Sequence, residues 1–155
     1  MELISQIGLS GCKPSLTPLE VNKKLTSIEY DLQVGPSDDP KIDDILGYQK
    51  LVGKLLYLTI TRPDICFAVQ TLSQFMQRPK QSHMDGALRV VRYLKGNPEL
   101  GILLKADEII SMTAFCDSDW VSYPNTRRSV SGYIVMMGDS LVSWKSKKQH
   151  TVSRS

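Results

Sequence analysis

The period of the apolar residues changes near position 100, and that change limits what this chain can fold into. Before it, three segments place apolar residues at helical intervals. Residues 45–60 carry Tyr48, Leu51, Val52, Leu55 and Leu58. Residues 63–77 carry Ile65, Ala68, Val69, Leu72, Phe75 and Met76. Residues 82–95 carry Met84, Ala87, Leu88, Val91 and Leu94. Each set is the stripe of a helix that buries one face. Thr61-Arg62-Pro63 separates the first two, with Pro63 near the first turn of the second. Ser82 reads as the N-cap of the third helix and Gly96 as its C-cap.

After position 100 the pattern is strand-like. Residues 101–105 (GILLK), 111–118 (SMTAFCDS), 129–137 (SVSGYIVMM) and 140–146 (SLVSWKS) read as strands. Met137-Gly138-Asp139-Ser140 reads as a tight hairpin connection. Short connections imply an antiparallel meander, so the expected fold class is α+β: three helices, then three or four strands. Trp144 is expected to pack against the helices and His83 to lie on the surface. Gly132, inside a strand, suggests a bulge or a close backbone contact.

Residues 1–44 are organised differently. Leu3, Ile4, Ile7 and Leu9 suggest the stub of an amphipathic helix, already under way at Met1. Beyond it, Gly11, Pro14, Pro18, Gly35, Pro36 and Pro40 punctuate an extended loop or linker, either partly disordered or laid across another unit. The chain thus divides into 1–44 (helix stub and linker), 45–97 (helical unit) and 98–155 (β-unit).

With 155 residues, 41% apolar and 23% charged, the chain is neither a disordered nor a membrane-embedded type. No run approaches the ~20 apolar residues that span a bilayer. The opening MELISQIGLSG shows no basic n-region and no long apolar core, so no secretory signal is read and an intracellular chain is expected. Cys12, Cys66 and Cys116 are odd in number and far apart, which fits a reducing compartment better than a zinc or disulfide framework.

The net charge of +3 is unevenly spread. Residues 127–155 hold six cations (Arg127, Arg128, Lys145, Lys147, Lys148, Arg154) against one acid, Asp139. Such a stretch suits an anionic partner such as nucleic acid, or is simply a solvated surface. Tyr123, Tyr133 and Trp144 interleave with these cations, a mixture that can bind a nucleic-acid backbone.

Among groups that could do chemistry, Asp117 and Asp119 close a strand and would share one face of it. Two-metal phosphoryl chemistry needs several converging carboxylates, so two acids make at most a weak Mg²⁺ site. A Cys–His pair drawn from Cys66 or Cys116 with His83 or His150 lacks an orienting third group. There is no glycine-rich phosphate loop.

Six phrases, in order, resemble the C-terminal part of a copia-type retrotransposon Pol polyprotein: LVGKLLYLTITRPDI, LSQFMQ, RYLKG, CDSDW, RRSVSGY and LVSWKSKKQ. GLSGCKPSLTPLE (8–20) resembles the segment just before them, so the likeness covers essentially the whole chain. The resemblance implies that residues up to 97 follow the polymerase palm as a thumb- or connection-like region of the reverse transcriptase. It implies that residues from about 100 begin a ribonuclease H-like fold as an incomplete β-meander. By resemblance, Asp117 matches the first catalytic carboxylate of that nuclease, and Asp119 an acidic neighbour without a catalytic part.

The departures from the family pattern carry the functional expectation. The family's polymerase site, a tyrosine followed by paired aspartates on the palm, has no counterpart here. The next nuclease carboxylate would be a Glu on a helix after a motif like TVSRS, beyond Ser155. The expected function is therefore a Pol fragment without catalysis of its own. It would need no cofactor, although the intact family enzyme uses Mg²⁺. The alternative is a non-catalytic module that binds an RNA–DNA hybrid through Arg127, Arg128, Lys145, Lys147 and Lys148. The β-unit, uncovered on one face, is expected to be the marginal part, with Lys145–Arg154 frayed.

Overall fold

The computed structural model describes residues 8, 11–20, 22–35, 37–106, 111–119 and 130–149. Among the described residues there are four helices and one antiparallel sheet: α1 (Ile28–Val34), α2 (Ile45–Leu58), α3 (Cys66–Ser73), α4 (Gln81–Gly96), β1 (Met112–Asp119), β2 (Val130–Met137) and β3 (Ser140–Lys148). The α+β reading holds. The expected stub at 1–9 falls outside the described residues except for Gly8.

Helix α2 begins where Asp44 Oδ1 accepts from the Gly47 amide at 2.8 Å, satisfying a donor that the first turn leaves unpaired. It buries the predicted stripe of Tyr48, Leu51, Val52 and Leu55. The Tyr48 hydroxyl donates to the Leu72 carbonyl at 2.8 Å, so the apolar contact between α2 and α3 also fixes their register. Arg62 fastens the break between these helices. It pairs with Asp64 through two nitrogens (2.9 and 2.7 Å) and donates to the Asn97 carbonyl at the end of α4. Pro63–Ile65 then forms a single 3-10 turn, and α3 ends at Ser73. That is shorter than the predicted 63–77; Phe75, beyond the helix end, is buried with Val130 and Leu25.

Helix α4 packs Ala87, Val90, Val91 and Leu94 on the same core. Its N-cap is Lys80, not Ser82 as the sequence suggested. Ser82 is turned to Asp39, donating from its amide (2.9 Å) and hydroxyl (2.6 Å). The C-cap is Asn97, one residue past Gly96, which remains helical.

The stretch read as a linker is laid across these helices and contains α1. Seven residues with exposed Leu32 and Val34 carry no apolar stripe, so periodicity gave no sign of that helix. Ser27 caps it, accepting from the Tyr30 amide. Further upstream, the Ser15 amide donates to Arg92 O, Lys95 Nζ to Cys12 O, and Arg89 to Thr17 O. Leu19 and Leu25 pack against the core beside Gly86, where an added Cβ would crowd Leu72.

The strongest attachment is a buried cation. Lys80 is 2% exposed, and its ammonium lies 2.6 Å from Asp31, 3.1 Å from Asp39 and 3.0 Å from Thr26 Oγ1. His83 beside it is fully buried, not on the surface as expected. Its ring stacks on Phe75 at 3.8 Å. Nδ1 accepts from the Lys80 amide, so the ring proton sits on Nε2 and is donated to Thr26 O at 3.1 Å.

The sheet has the order β1-β2-β3, antiparallel throughout. The hairpin Met137-Gly138-Asp139-Ser140 forms as predicted, with Gly138 at φ +56°. The bulge lies between Val135 and Met136, not at Gly132, where an added Cβ would meet only Lys145 O at ordinary contact distance. Residues 101–105 form no strand. They lie without a ladder partner, tied by the Lys105 amide to Ser140 Oγ and by its ammonium to Asp139.

Lys80→Ala should destabilise the chain by about 3 kcal/mol in urea unfolding at pH 7, since it strands two half-covered carboxylates. Tyr48→Phe should cost about 1 kcal/mol. Burial, then the nearby Lys80 charge, pushes the His83 imidazole from 6.5 down to about 4. The unfolded chain therefore binds more protons between those values. Stability should be level above pH 6.5 and fall by about 3 kcal/mol on reaching pH 4. Burial raises the Asp31 and Asp39 carboxyls. Hydrogen bonds from Lys80 and Thr26 at Asp31, and from Ser82 and Lys80 at Asp39, outweigh it and hold both below 3.8. Their contribution is lost at still lower pH. Unfolding midpoints that do not move between pH 7 and 4 would contradict this.

Candidate functional site

Strand pairing decides which candidate residues can act together. In an antiparallel ladder, paired residues share a face and neighbours alternate. Asp117 pairs with Gly132, and Gly132 with Ser146. Phe115, Ile134 and Trp144 form the next row on that same face. This face meets the helices: Trp144 Nε1 donates to Thr59 O at 2.8 Å, and Cys66 lies against Ser146. Trp144 thus packs against the helices, although it is only partly buried.

Beside the start of α3 runs a groove of about 460 Å³, whose lining takes in Cys66, Phe115, Asp117 and Trp144 and also Tyr133 and Lys145. Asp117 is exposed at its edge. No group of three or more His, Cys, Asp or Glu side chains able to hold a metal gathers among the described residues. The donors described therefore do not fit the Mg²⁺ pair that the family chemistry implies.

The opposite face carries the row Cys116–Tyr133–Lys145, followed by Lys147 opposite Ser131. Lys145 and Lys147 are exposed, and Tyr133 is 39% exposed between Cys116 and Lys145. Lys148 belongs to the other face by alternation and is half-buried. The five basic candidates are therefore not one cluster: Lys145 and Lys147 lie together, Lys148 points away, and Arg127 and Arg128 lie outside the described residues. By alternation Asp117 belongs to the face opposite the lysine pair, although Asp117 and Lys145 both line the groove.

A Cys–His pair is not formed among the described residues. His83 is enclosed by Phe75, Lys80 and Thr26. Burial pushes the Cys66 thiol up, against smaller opposing effects from Ser146 and Thr59, which makes it a poor nucleophile near neutral pH. The cluster that sequence reasoning missed is Lys80–His83–Asp31–Asp39. The available signal was Lys80 three residues before His83 at a helix start, the spacing of a reciprocal cap.

The chain is similar to the retrovirus-related Pol polyprotein of transposon RE2 from Arabidopsis thaliana, 39% identical over 155 residues, all of this chain and 10% of that protein. An uncharacterized mitochondrial protein of Arabidopsis thaliana is 37% identical over 99% of this chain and 60% of its own length. A second such protein from the same plant is 46% identical over 78 residues, half of this chain and 70% of its own length. The chain thus spans less than two thirds of the first two. No protein-family model matches the chain, and no solved structure matches it.

The Trp144 indole should report the docking of sheet on helices. In a Trp120→Phe background the remaining indole fluorescence should change on unfolding, and Trp144→Phe should cost about 1–2 kcal/mol in urea unfolding. A variant as stable as the parent would show that the contact with Thr59 does not hold the sheet.

Proposed function

The chain belongs to the Pol polyproteins of copia-type retrotransposons, and from that premise we propose that these 155 residues neither copy nor cut nucleic acid by themselves. In this reading residues up to 97 are a thumb- or connection-like region of the reverse transcriptase, and residues from 98 are the start of a ribonuclease H-like unit. One observation carries the reading. Asp117, the carboxylate that matches the family's nuclease motif, stands exposed with no set of metal-binding side chains gathered about it among the described residues. Phosphoryl transfer by paired ions needs several anionic ligands at once, and a lone solvated carboxylate holds Mg²⁺ weakly.

Purified chain incubated with Mg²⁺ or Mn²⁺ and a labelled RNA–DNA hybrid should give no cleavage above a protein-free control. Cleavage that disappears in Asp117→Asn would overturn the reading.

A second reading rests on a separate observation, the exposed row of Lys145, Lys147 and Tyr133. Two cations on one strand beside an aromatic ring suit contact with a phosphate backbone. In this reading the chain grips an RNA–DNA hybrid on the sheet face away from Asp117. Log affinity should fall with log salt, and Lys145→Gln with Lys147→Gln should flatten that slope by about 2. An unchanged slope would remove this surface from consideration.

A further inference from the structure

The segment ahead of the helical core is tied down unevenly. Residues 12–20 lie along the second half of α4, where the Ser15 amide donates to Arg92 O, Lys95 Nζ to Cys12 O, and the Arg89 guanidinium to Thr17 and Glu20. Residues 37–44 lead into α2 and are paired by the Ile42 amide on Pro79 O and the Gln81 amide on Pro40 O. Between these anchors, residues 22–35 cross the start of α4 as a strap that includes α1. Helix α1 buries none of its residues. Leu25 gives the strap its apolar contact, packing on the core and on Phe75 and Val130, the first residue of β2. The Arg78–Glu29 pair is exposed and adds little. Thr26 and Asp31 tie the strap to Lys80 and His83.

That tie holds only while His83 is neutral. Its Nδ1 accepts from the Lys80 amide at 2.9 Å and its Nε2 donates to Thr26 O at 3.1 Å. A proton added at Nδ1 would turn the acceptor into a second donor facing the amide, and α4 would lose its cap. The imidazolium would also stand beside the Lys80 ammonium, in a fully buried position closed by the Phe75 ring. The groups that face the ring are Lys80 at the cap, Thr26 from the strap, Asp31 from α1, Asp39 from the stretch before α2, and Phe75 from beyond α3. Asp31 and Asp39 favour a charged ring, but both are already engaged by the Lys80 ammonium, at 2.6 and 3.1 Å. Of the walls around His83, α4 and the turn holding Phe75 are fixed by the core, and the strap is the one held by polar contacts. We propose that residues 22–35 are an acid-released strap, latched by neutral His83, that lifts while residues 12–20 and helices α2 to α4 stay in place. Lifting it uncovers Phe75 and Val130, where helices and sheet meet. The device belongs to the helical unit and does not depend on any action of the chain on nucleic acid.

Native-state hydrogen exchange on the full chain at pH 7 and pH 5, corrected for the intrinsic pH dependence and repeated in low urea, tests this. The Asp31 and Gly35 amides, bonded to Ser27 O and Asp31 O, report on the strap. They should exchange through an opening that urea hardly affects, and remain less protected than Val52, Val69 and Val91 at both pH values. With the ring at 6.5 once the strap lifts and about 4 while it is latched, their protection should fall about 25-fold from pH 7 to pH 5. In His83→Asn, whose Oδ1 can accept from the Lys80 amide without titrating, that fall should vanish. Should the variant not fold, the NMR titration of the His83 ring in the parent decides, with a midpoint well below 6.5 expected. A midpoint at 6.5, strap amides that exchange with the rate and urea dependence of the core, protection unchanged between pH 7 and pH 5, or an equal fall in His83→Asn would overturn the proposal.

Discussion

One buried ammonium organises the N-terminal third of this protein. Lys80 stands at the start of α4 and collects Asp31, Asp39 and Thr26 from a segment some 40 to 54 residues earlier in the chain. A cation so enclosed is tolerated only when its donors are satisfied by anions or hydroxyls, and here they are. The neutral His83 beneath it completes the arrangement, since a second positive charge there would oppose Lys80. Backbone pairing runs alongside: Ile42 donates to Pro79 O and Gln81 to Pro40 O. The segment is thus held by polar contacts converging on one point, with Leu19 and Leu25 adding apolar contact at its edge.

The sheet is attached in another way. Its three strands pair extensively with each other and meet the helices through one face, where the indole of Trp144 reaches a carbonyl left free at the end of α2. That asymmetry separates the chemistry of the β-unit. By alternation Asp117 shares a face with Trp144, which meets the helices, while Lys145 and Lys147 share the other. Asp117 and Lys145 nevertheless both line the groove beside the start of α3.

What could be read from the sequence follows from what kind of force fixes each part. The three core helices were legible because burial of one face imposes a period, as Tyr48, Leu51, Val52 and Leu55 show. The hairpin at Gly138 was legible because turn chemistry is local. The α1 helix and the Lys80 cluster were not, since hydrogen bonds between residues 49 apart leave no period and no motif. His83 looked like a surface residue because a polar side chain in a first helical turn is usually solvated. The contacts of Thr26 and Phe75 with its ring show otherwise. GILLK was mistaken for a strand because an apolar run says nothing about whether a neighbouring strand offers a ladder. Of the candidate site, the alternation that divides Asp117 from Lys145 depended on register, which short strands do not declare by themselves.

Native-state hydrogen exchange comparing the parent with Lys80→Met addresses the central claim, that a single buried cation holds the N-terminal segment to the helices. The account predicts that the amides of Ile42, Gln81, Ser82 and Gly35 lose protection together in the variant, while Val52, Val69 and Val91 in the helical core keep theirs. Protection of the four amides unchanged by the substitution, or lost only together with the whole core, would contradict it.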